Sequence, residues 1–137
     1  MKNQFFIDTG YLIALEAADD QHHESALKHW QTLIISLPRL VTTSYVFNEV
    51  TTFFNSRHRH SKAVEIGMRL VSSFSIQMIY VDEIMFNRGG KYFQKHSDKY
   101  FPLTDCVSFV VMDQFNIRTA LTFDKHFVQA GFDQLPL

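Results

Sequence analysis

The chain has 137 residues, a length that one domain accommodates and that is sufficient to bury a substantial core. Hydrophobic residues make up 46% of it and include 14 Phe, which excludes a disordered chain. The net charge of -1 gives no overall basic footprint, and the single cysteine, Cys106, excludes an intramolecular disulfide. No apolar run approaches the roughly 20 residues of a membrane span. Asp8 interrupts the N-terminal apolar stretch, whereas the apolar core of a signal peptide carries no charge. We therefore expect a cytoplasmic protein with one domain over residues 1–137.

Along the first third of the chain, short apolar runs alternate with stretches of helical periodicity. Residues 5–7 predict a buried strand, and residues 10–18 predict a helix. Apolar side chains recur at helical spacing over residues 22–37, which predicts a second helix that Pro38 ends. The segment "RLVTTS" predicts a strand, with Thr43 or Ser44 placed to cap a helix over residues 45–54.

The rest of the chain continues this alternation. We expect a helix over residues 61–74, a strand in "IQMIYV", and a helix over residues 83–96 that the glycine pair of "NRGGKYF" kinks or breaks. A helix over residues 105–115, a strand in "RTALT" and an edge strand in "FDQLP" complete the pattern. Strands separated by helices predict a three-layer α/β/α sandwich, with a short parallel sheet flanked by helices. The ligand crevice of such a sheet lies beyond the carboxyl ends of its strands.

Four acidic residues have apolar neighbours, whereas most of the 14 acids lie in polar stretches: Asp8, Glu49, Asp105 and Asp124. Asp8 and Asp124 follow predicted strands. Helical periodicity places Glu49 and Asp105 on the apolar faces of their helices, where an unpaired ionised carboxylate is costly. These four positions can converge on one crevice of a sandwich.

Each acid also has a structural explanation. Asp8 and Asp124 suit helix capping, and Asp105 suits the first turn of a helix as an end charge. Glu49 is predicted in mid-helix, so a buried salt bridge to Arg118 or Lys125 is its alternative. The joint pattern favours a hard divalent cation, Mg²⁺ or Mn²⁺, because such ions prefer oxygen ligands and allow like charges to crowd. A cluster of this kind at the mouth of an α/β sheet indicates phosphoryl chemistry.

Five segments are distributed over nearly the whole chain: "FIDTGYLIAL", "DDQHHESAL", "TTSYVFNEV", "LTDCVSFVVM" and "ALTFDKHF". Together they resemble the PIN-domain nucleases, and in particular the VapC-like toxins of bacterial toxin–antitoxin pairs. The resemblance implies that Asp8, Glu49, Asp105 and Asp124 are catalytic and bind Mg²⁺ or Mn²⁺, and that the metal activates water to attack an RNA phosphodiester. It also implies an RNA substrate, a small antitoxin partner and a homodimer.

Several further residues have candidate roles beside these acids. Thr9, Thr104 and Thr122 are close to them in sequence and suit the orientation of ligands, with helix capping as the alternative. Arg57 and Arg59 belong to "SRHRH", a concentrated basic stretch that suits RNA phosphates, although a solvated loop is the more common role of so short a run. His23 and His126 lack a spacing partner for catalysis or zinc, so we predict packing or capping roles for both.

Two other functions compete with a metal-dependent endoribonuclease. An aspartyl-nucleophile phosphatase also places an Asp after its first strand, but that chemistry uses a second Asp two residues later, where this chain has Gly10. The other alternative is a catalytically silent PIN-like module that binds RNA or an antitoxin without cutting. The presence of all four acids argues against the silent module.

Overall fold

The computed structural model describes residues 3–137, in which five strands form a single parallel sheet. They are β1 (Gln4–Ile7), β2 (Arg39–Thr43), β3 (Ile76–Ile79), β4 (Thr119–Leu121) and β5 (Asp133–Leu135), arranged in the order β3-β2-β1-β4-β5. β1 pairs with β2 on one side and β4 on the other, and every pairing is parallel. The carboxyl end of β1 is therefore the centre of the sheet edge at which a ligand crevice forms.

The helices alternate with the strands and flank the sheet, so the predicted α/β/α sandwich is confirmed. They are α1 (Thr9–Glu16), α2 (His23–Leu33), α3 (Ser44–Asn55), α4 (His60–Ser72), α5 (Glu83–Lys95), α6 (Leu103–Gln114) and the short α7 (His126–Gln129). As expected, the Thr43 hydroxyl accepts a hydrogen bond from the Val46 amide and caps α3. In residues 3–137, no helix combines the length and the apolar character needed to cross a bilayer.

The second helix is shorter than its apolar periodicity predicts. α2 ends at Leu33, a 3-10 turn follows over Ile34–Ser36, and Leu37 has the left-handed φ of 50°. Leu37 precedes Pro38, and a residue before proline is disfavoured in the α conformation because the proline ring crowds it. Ile35 and Leu37 are 80% and 87% exposed, so their helical spacing does not reflect a buried face.

The glycine pair predicted to kink or break α5 does neither, and α5 runs without interruption from Glu83 to Lys95. Gly89 is buried where α5 packs against α6. A Cβ atom on Gly89 would lie 2.6 Å from Cγ2 of Val107 and 3.3 Å from its Cα. The glycine therefore allows close approach of two helices.

Replacing Gly89 by Ala is expected to lower the free energy of unfolding by about 1–3 kcal/mol, the usual cost of overpacking a core contact. Gly90 is the matched control, because a Cβ there meets no atom within 4 Å. Gly90→Ala should leave stability unchanged or raise it by up to about 1 kcal/mol, since alanine favours helix more than glycine. Urea unfolding of the two variants measures the difference. Equal effects at both positions would contradict the close packing of α5 on α6.

The core beneath the carboxyl edge of the sheet is aromatic. Phe109 on α6 is completely buried and makes edge contacts with Phe101 and Phe127, at centroid distances of 5.2 and 5.0 Å. Cys106 is also completely buried and has a free thiol, as its apolar surroundings predict. This packing holds α6 and α7 against the end of the sheet where the acidic residues lie.

Candidate active site

Asp8 is held at the carboxyl end of the central strand. Its amide donates to the Leu121 carbonyl of β4 at 3.0 Å, and the Thr42 hydroxyl of β2 donates to the Ile7 carbonyl at 2.9 Å. Asp8 occupies the N-cap position of α1, but its side chain makes no capping hydrogen bond. Instead, Oδ2 of Asp8 accepts from the Thr122 hydroxyl at 2.8 Å. Capping therefore does not account for this buried carboxylate.

Asp105 lies in the first turn of α6 and is only 6% exposed, so it is more than a solvated charge at a helix end. Its Oδ2 is 2.8 Å from Nδ1 of His126. Asp124 follows β4, and its Oδ1 accepts from the amide of His126, the first residue of α7, at 2.9 Å. The same oxygen lies 3.1 Å from Nδ1 of His126. Asp124 thus precedes the N-cap residue of α7, Lys125, and shares the His126 contact with Asp105.

Glu49 differs from the prediction, because its side chain is exposed rather than directed into the core. α3 packs against α1, and Oε1 of Glu49 accepts from the Thr9 hydroxyl at 2.7 Å. The alternative salt bridge to Arg118 or Lys125 does not form in residues 3–137. The Arg118 guanidinium instead donates to the Gly131 carbonyl at 3.0 Å. Periodicity predicted that Glu49 lies on the apolar face of α3. That part of the face meets Thr9 of α1 and is open to solvent.

All four acids line one open cleft of about 460 Å³. The other residues of its wall are Thr9, Gly10, Phe123 and Lys125. An apolar hollow of about 410 Å³ between α3 and α4 contains no acidic side chain. The cleft at the carboxyl edge of the sheet is therefore the place where these carboxylates can act together.

The pKa of Asp8 is raised to about 7, chiefly by burial and then by the negative charge of Asp105, while the hydrogen bond from Thr122 opposes the rise. The pKa of Asp105 is likewise raised to about 6, chiefly by burial, with the His126 contact opposing the rise and the charges of Asp124 and Glu49 contributing to it. An ionised carboxylate in this cleft is thus unfavourable without a compensating cation. Protons supply that compensation at low pH, and a metal ion can replace them.

The donor chemistry of the cleft fits a hard divalent cation. Donor atoms of Asp105, Asp124 and His126 all lie within 4.8 Å of one another, and Asp8 and Glu49 add oxygens in the same cleft. When both carboxylates are ionised they only accept hydrogen bonds, so Nδ1 of His126 between them then carries a proton. His126 therefore positions Asp105 and Asp124 in this arrangement, and the oxygens remain as the ligands that Mg²⁺ or Mn²⁺ prefers.

Residues 5–133 match the PIN domain family. The chain belongs to the PIN domain family. It is 29% identical over 128 residues to the 23S rRNA-specific endonuclease VapC20 of Mycobacterium tuberculosis, in strains CDC 1551 and H37Rv, and the alignment covers 93% of this chain and 94% of that protein.

Solved structures agree with this assignment. The crystal structure of M. tuberculosis VapC20, described as a Sarcin-Ricin loop cleaving toxin, has a TM-score of 0.85 at 27% identity and covers 93% of this chain and 95% of its own. VapBC2 from Rickettsia felis, bound to a DNA fragment from the promoter, has a TM-score of 0.71 at 12% identity and covers 96% of both chains. FitAcB from Neisseria gonorrhoeae has a TM-score of 0.67 at 16% identity, covers 95% of both chains and, like VapBC2, shows the shared fold.

The predicted supporting threonines of this PIN domain differ in their contacts. Thr9 and Thr122 donate to Glu49 and Asp8, and the Thr122 hydroxyl also accepts from the Asp124 amide at 3.0 Å. Thr104 is half-buried, and its backbone carbonyl accepts a hydrogen bond from the Ser108 hydroxyl at 3.0 Å. The structure therefore connects two of the three threonines to the acids.

Arg57 and Arg59 lie outside the wall of the PIN-domain cleft. Their guanidinium groups lie over the Phe53 and Phe54 rings, 3.7 and 5.1 Å from the ring centroids. The structure thus places both cations at the C-terminal end of α3, outside the cleft that the four acids line.

The position of His126 between two carboxylates was not predicted from the sequence. Its signal was the order "FDKHF", which places a histidine two residues after Asp124 at the start of a short helix. His23 lies outside the cleft wall and is half-buried, with its Nδ1 2.7 Å from the Ala14 carbonyl of α1.

Proposed function

We propose that this PIN domain is a metal-dependent endoribonuclease that hydrolyses RNA phosphodiester bonds, and that it is the toxin of a toxin–antitoxin pair. The observation that carries the proposal is the meeting of Asp8, Glu49, Asp105 and Asp124 in one cleft, with two of them buried and raised in pKa. The likeness to VapC20, named as a 23S rRNA-specific endonuclease, supports RNA as the substrate.

The four carboxylates would hold Mg²⁺ or Mn²⁺, which supplies a bound water of lowered pKa and positive charge for the phosphate. The protein contributes the placement of these ligands. The Thr122 and Thr9 hydroxyls orient one oxygen each of Asp8 and Glu49, and His126 holds Asp105 and Asp124 close together. Such supporting contacts commonly change metal affinity or activity by about 10- to 100-fold when they are removed.

Lys125 is the cation in the cleft wall, and its exposed ammonium group suits a phosphate oxygen of the substrate. Arg57 and Arg59 follow the end of α3, the helix that carries Glu49, so they suit phosphates farther along the RNA strand. This arrangement gives local positive charge to a chain whose net charge is -1.

The purified protein, freed of any partner, should cleave RNA in Mg²⁺ or Mn²⁺ and lose that activity in EDTA. Restoring the metal after chelation should restore cleavage, which distinguishes loss of the ion from unfolding. A mixture of cellular RNAs is the appropriate first substrate, because the four acids define the chemistry rather than the RNA sequence. Activity that survives exhaustive chelation would contradict the metal mechanism.

The toxin role carries with it a small antitoxin, a homodimer and a cytoplasmic location. The family resemblance supports these assignments, and exposed apolar side chains of α4, Val64, Met68 and Val71, provide surface for a protein partner. Light scattering of the native complex and of the isolated chain tests both assemblies. A strict monomer with no co-purifying small protein would count against them.

A further inference from the structure

Three aromatic rings lie nearly parallel beside the acidic cleft. The His22 ring packs on the Phe123 ring with centroids 4.2 Å apart and planes 4° apart, and the Tyr11 ring lies 6.0 Å from Phe123 at 16°. Phe123 is part of the cleft wall. Tyr11 is completely buried, whereas His22 and Phe123 are each only half-buried. Part of each of these two side chains, which we call the His22–Phe123 stack, is therefore exposed, and Phe123 connects the stack to the cleft wall.

The backbone on both sides of the stack is held in place. The His22 amide donates to Oδ1 of Asp20 at 2.8 Å, and the His22 carbonyl accepts from the Ala26 amide at 2.9 Å. Phe123 lies between two residues of the active site, Thr122 and Asp124, which are joined by a hydrogen bond of 3.0 Å. Because this backbone is ordered by hydrogen bonds, a flat ligand placed on the stack would meet a preorganised surface.

We propose that the His22–Phe123 stack binds a nucleobase of the RNA, next to the phosphate that is cut. Aromatic side chains beside a phosphate-binding cleft bind bases face to face, and every base offers such a face. Phe101, Phe109, Phe127 and Phe132 have a different role, since all four rings are buried and contact one another in the core. The His22–Phe123 stack, in contrast, is half-buried, and its Phe123 belongs to the cleft wall.

This inference rests on the proposed function, because it takes RNA as the substrate. It adds a requirement on that substrate: the nucleotide beside the cut is unpaired. A base within a duplex is already stacked on its neighbours, so its face is open to a protein ring only in a loop, a bulge or a single strand. The stack therefore selects RNA by exposure of a base rather than by its sequence.

The test is the affinity for a short, fluorescein-labelled single-stranded oligoribonucleotide, measured by anisotropy in Mg²⁺. The protein carries Asp105→Asn so that binding is separated from cleavage. Adding His22→Ala should weaken binding roughly tenfold, within the range of about 5- to 150-fold for loss of one base stack. Adding His22→Phe instead should retain the affinity, because it keeps a ring on Phe123.

His96→Ala is the matched control, since His96 stacks on Tyr92 at 4.1 Å and 19°, whereas Tyr92, unlike Phe123, is not part of the cleft wall. It should bind the oligonucleotide as the parent does. In a second experiment, each base of the oligonucleotide is removed in turn. Removal of one particular base should weaken binding to the parent, and the same removal should have no effect on binding to the His22→Ala variant. Thermal melts confirm that each variant is folded.

Equal affinities of the parent and the His22→Ala variant would overturn the inference, as would an abasic penalty that persists in full without His22. Cleavage assays of the protein with Asp105 intact separate the two proposals. If His22→Ala leaves both KM and kcat of cleavage unchanged, base binding by the stack is contradicted and the nuclease function stands. Binding that depends on His22 without any cleavage supports the stack and contradicts the nuclease function.

Discussion

Replacing Asp105 by Asn is expected to abolish RNA cleavage while leaving the metal-free protein at least as stable as the parent. Asn has nearly the same shape, and its oxygen can still accept the proton of Nδ1 of His126. The substitution removes a buried negative charge that faces the charges of Asp124 and Glu49. The free energy of unfolding should therefore stay equal or rise by about 1 kcal/mol. Cleavage should fall by at least about 100-fold, because a proposed metal ligand is lost.

Asp113→Asn is the matched control on the same helix, since Asp113 is exposed and lies outside the cleft wall. It should keep full activity. Thermal melts with and without Mn²⁺, beside an RNA cleavage assay, give the comparison, and Mn²⁺ should stabilise the parent more than Asp105→Asn through mass action. If Asp105 were only a helix end charge or half of an ion pair, its variant would be destabilised and active.

The second large effect is on the pH dependence of stability. The folded pKa of Asp8, about 7, exceeds the ordinary value of 3.8, and that of Asp105 is raised to about 6. The folded state therefore binds more protons than the unfolded chain between these values. The stability that these protonated groups contribute is fully present below about pH 4 and is lost as the pH rises through about 7. For Asp8 the loss is on the order of a few kcal/mol.

The measurement is urea unfolding of the metal-free parent and of Asp8→Asn from acid to neutral pH. The difference in stability between them isolates this carboxyl group from the other groups that titrate. Asp8→Asn should gain on the parent as the pH rises, and saturating Mn²⁺ should reduce that gain by stabilising the ionised parent. A difference that is independent of pH would show that Asp8 is not held at a raised pKa in the folded protein.

Both effects have one structural origin. The sheet holds Asp8 rigidly at the end of its central strand, and α6 brings Asp105 to the same cleft from another layer. Bringing these carboxylates into one cleft therefore lowers the stability of the metal-free folded state at neutral pH. A cation that binds the folded state offsets this cost, so metal binding and folding are expected to be linked.

Much of this architecture was predictable from the sequence, because its signals are local. Period-2 and period-3.6 patterns of apolar residues depend on neighbouring positions, and they correctly predicted five strands separated by helices. The same reasoning found Asp8 at a strand end and Asp105 on the buried side of α6. The resemblance named the PIN family, which the match over residues 5–133 confirms. The roles of the four acids remain predictions.

Local errors arose where a neighbouring element changed the outcome. Apolar spacing extended α2 past Leu33, whereas the residue before Pro38 leaves the α conformation. The glycine pair indicated a break in α5, whereas Gly89 allows contact with Val107 of α6. Periodicity predicted that Glu49 points into the core, whereas the structure has it exposed, with a hydrogen bond from Thr9 of α1.

The sequence by itself determined the order of elements, the parallel α/β class and the four acids, since each follows from residues adjacent along the chain or along one helix. Only the tertiary structure decided which distant segments meet. It placed His126 between Asp105 and Asp124, and it laid His22 on Phe123, a residue 101 positions later in the chain. Such contacts depend on how helices and loops pack around the sheet, and no local periodicity records that packing.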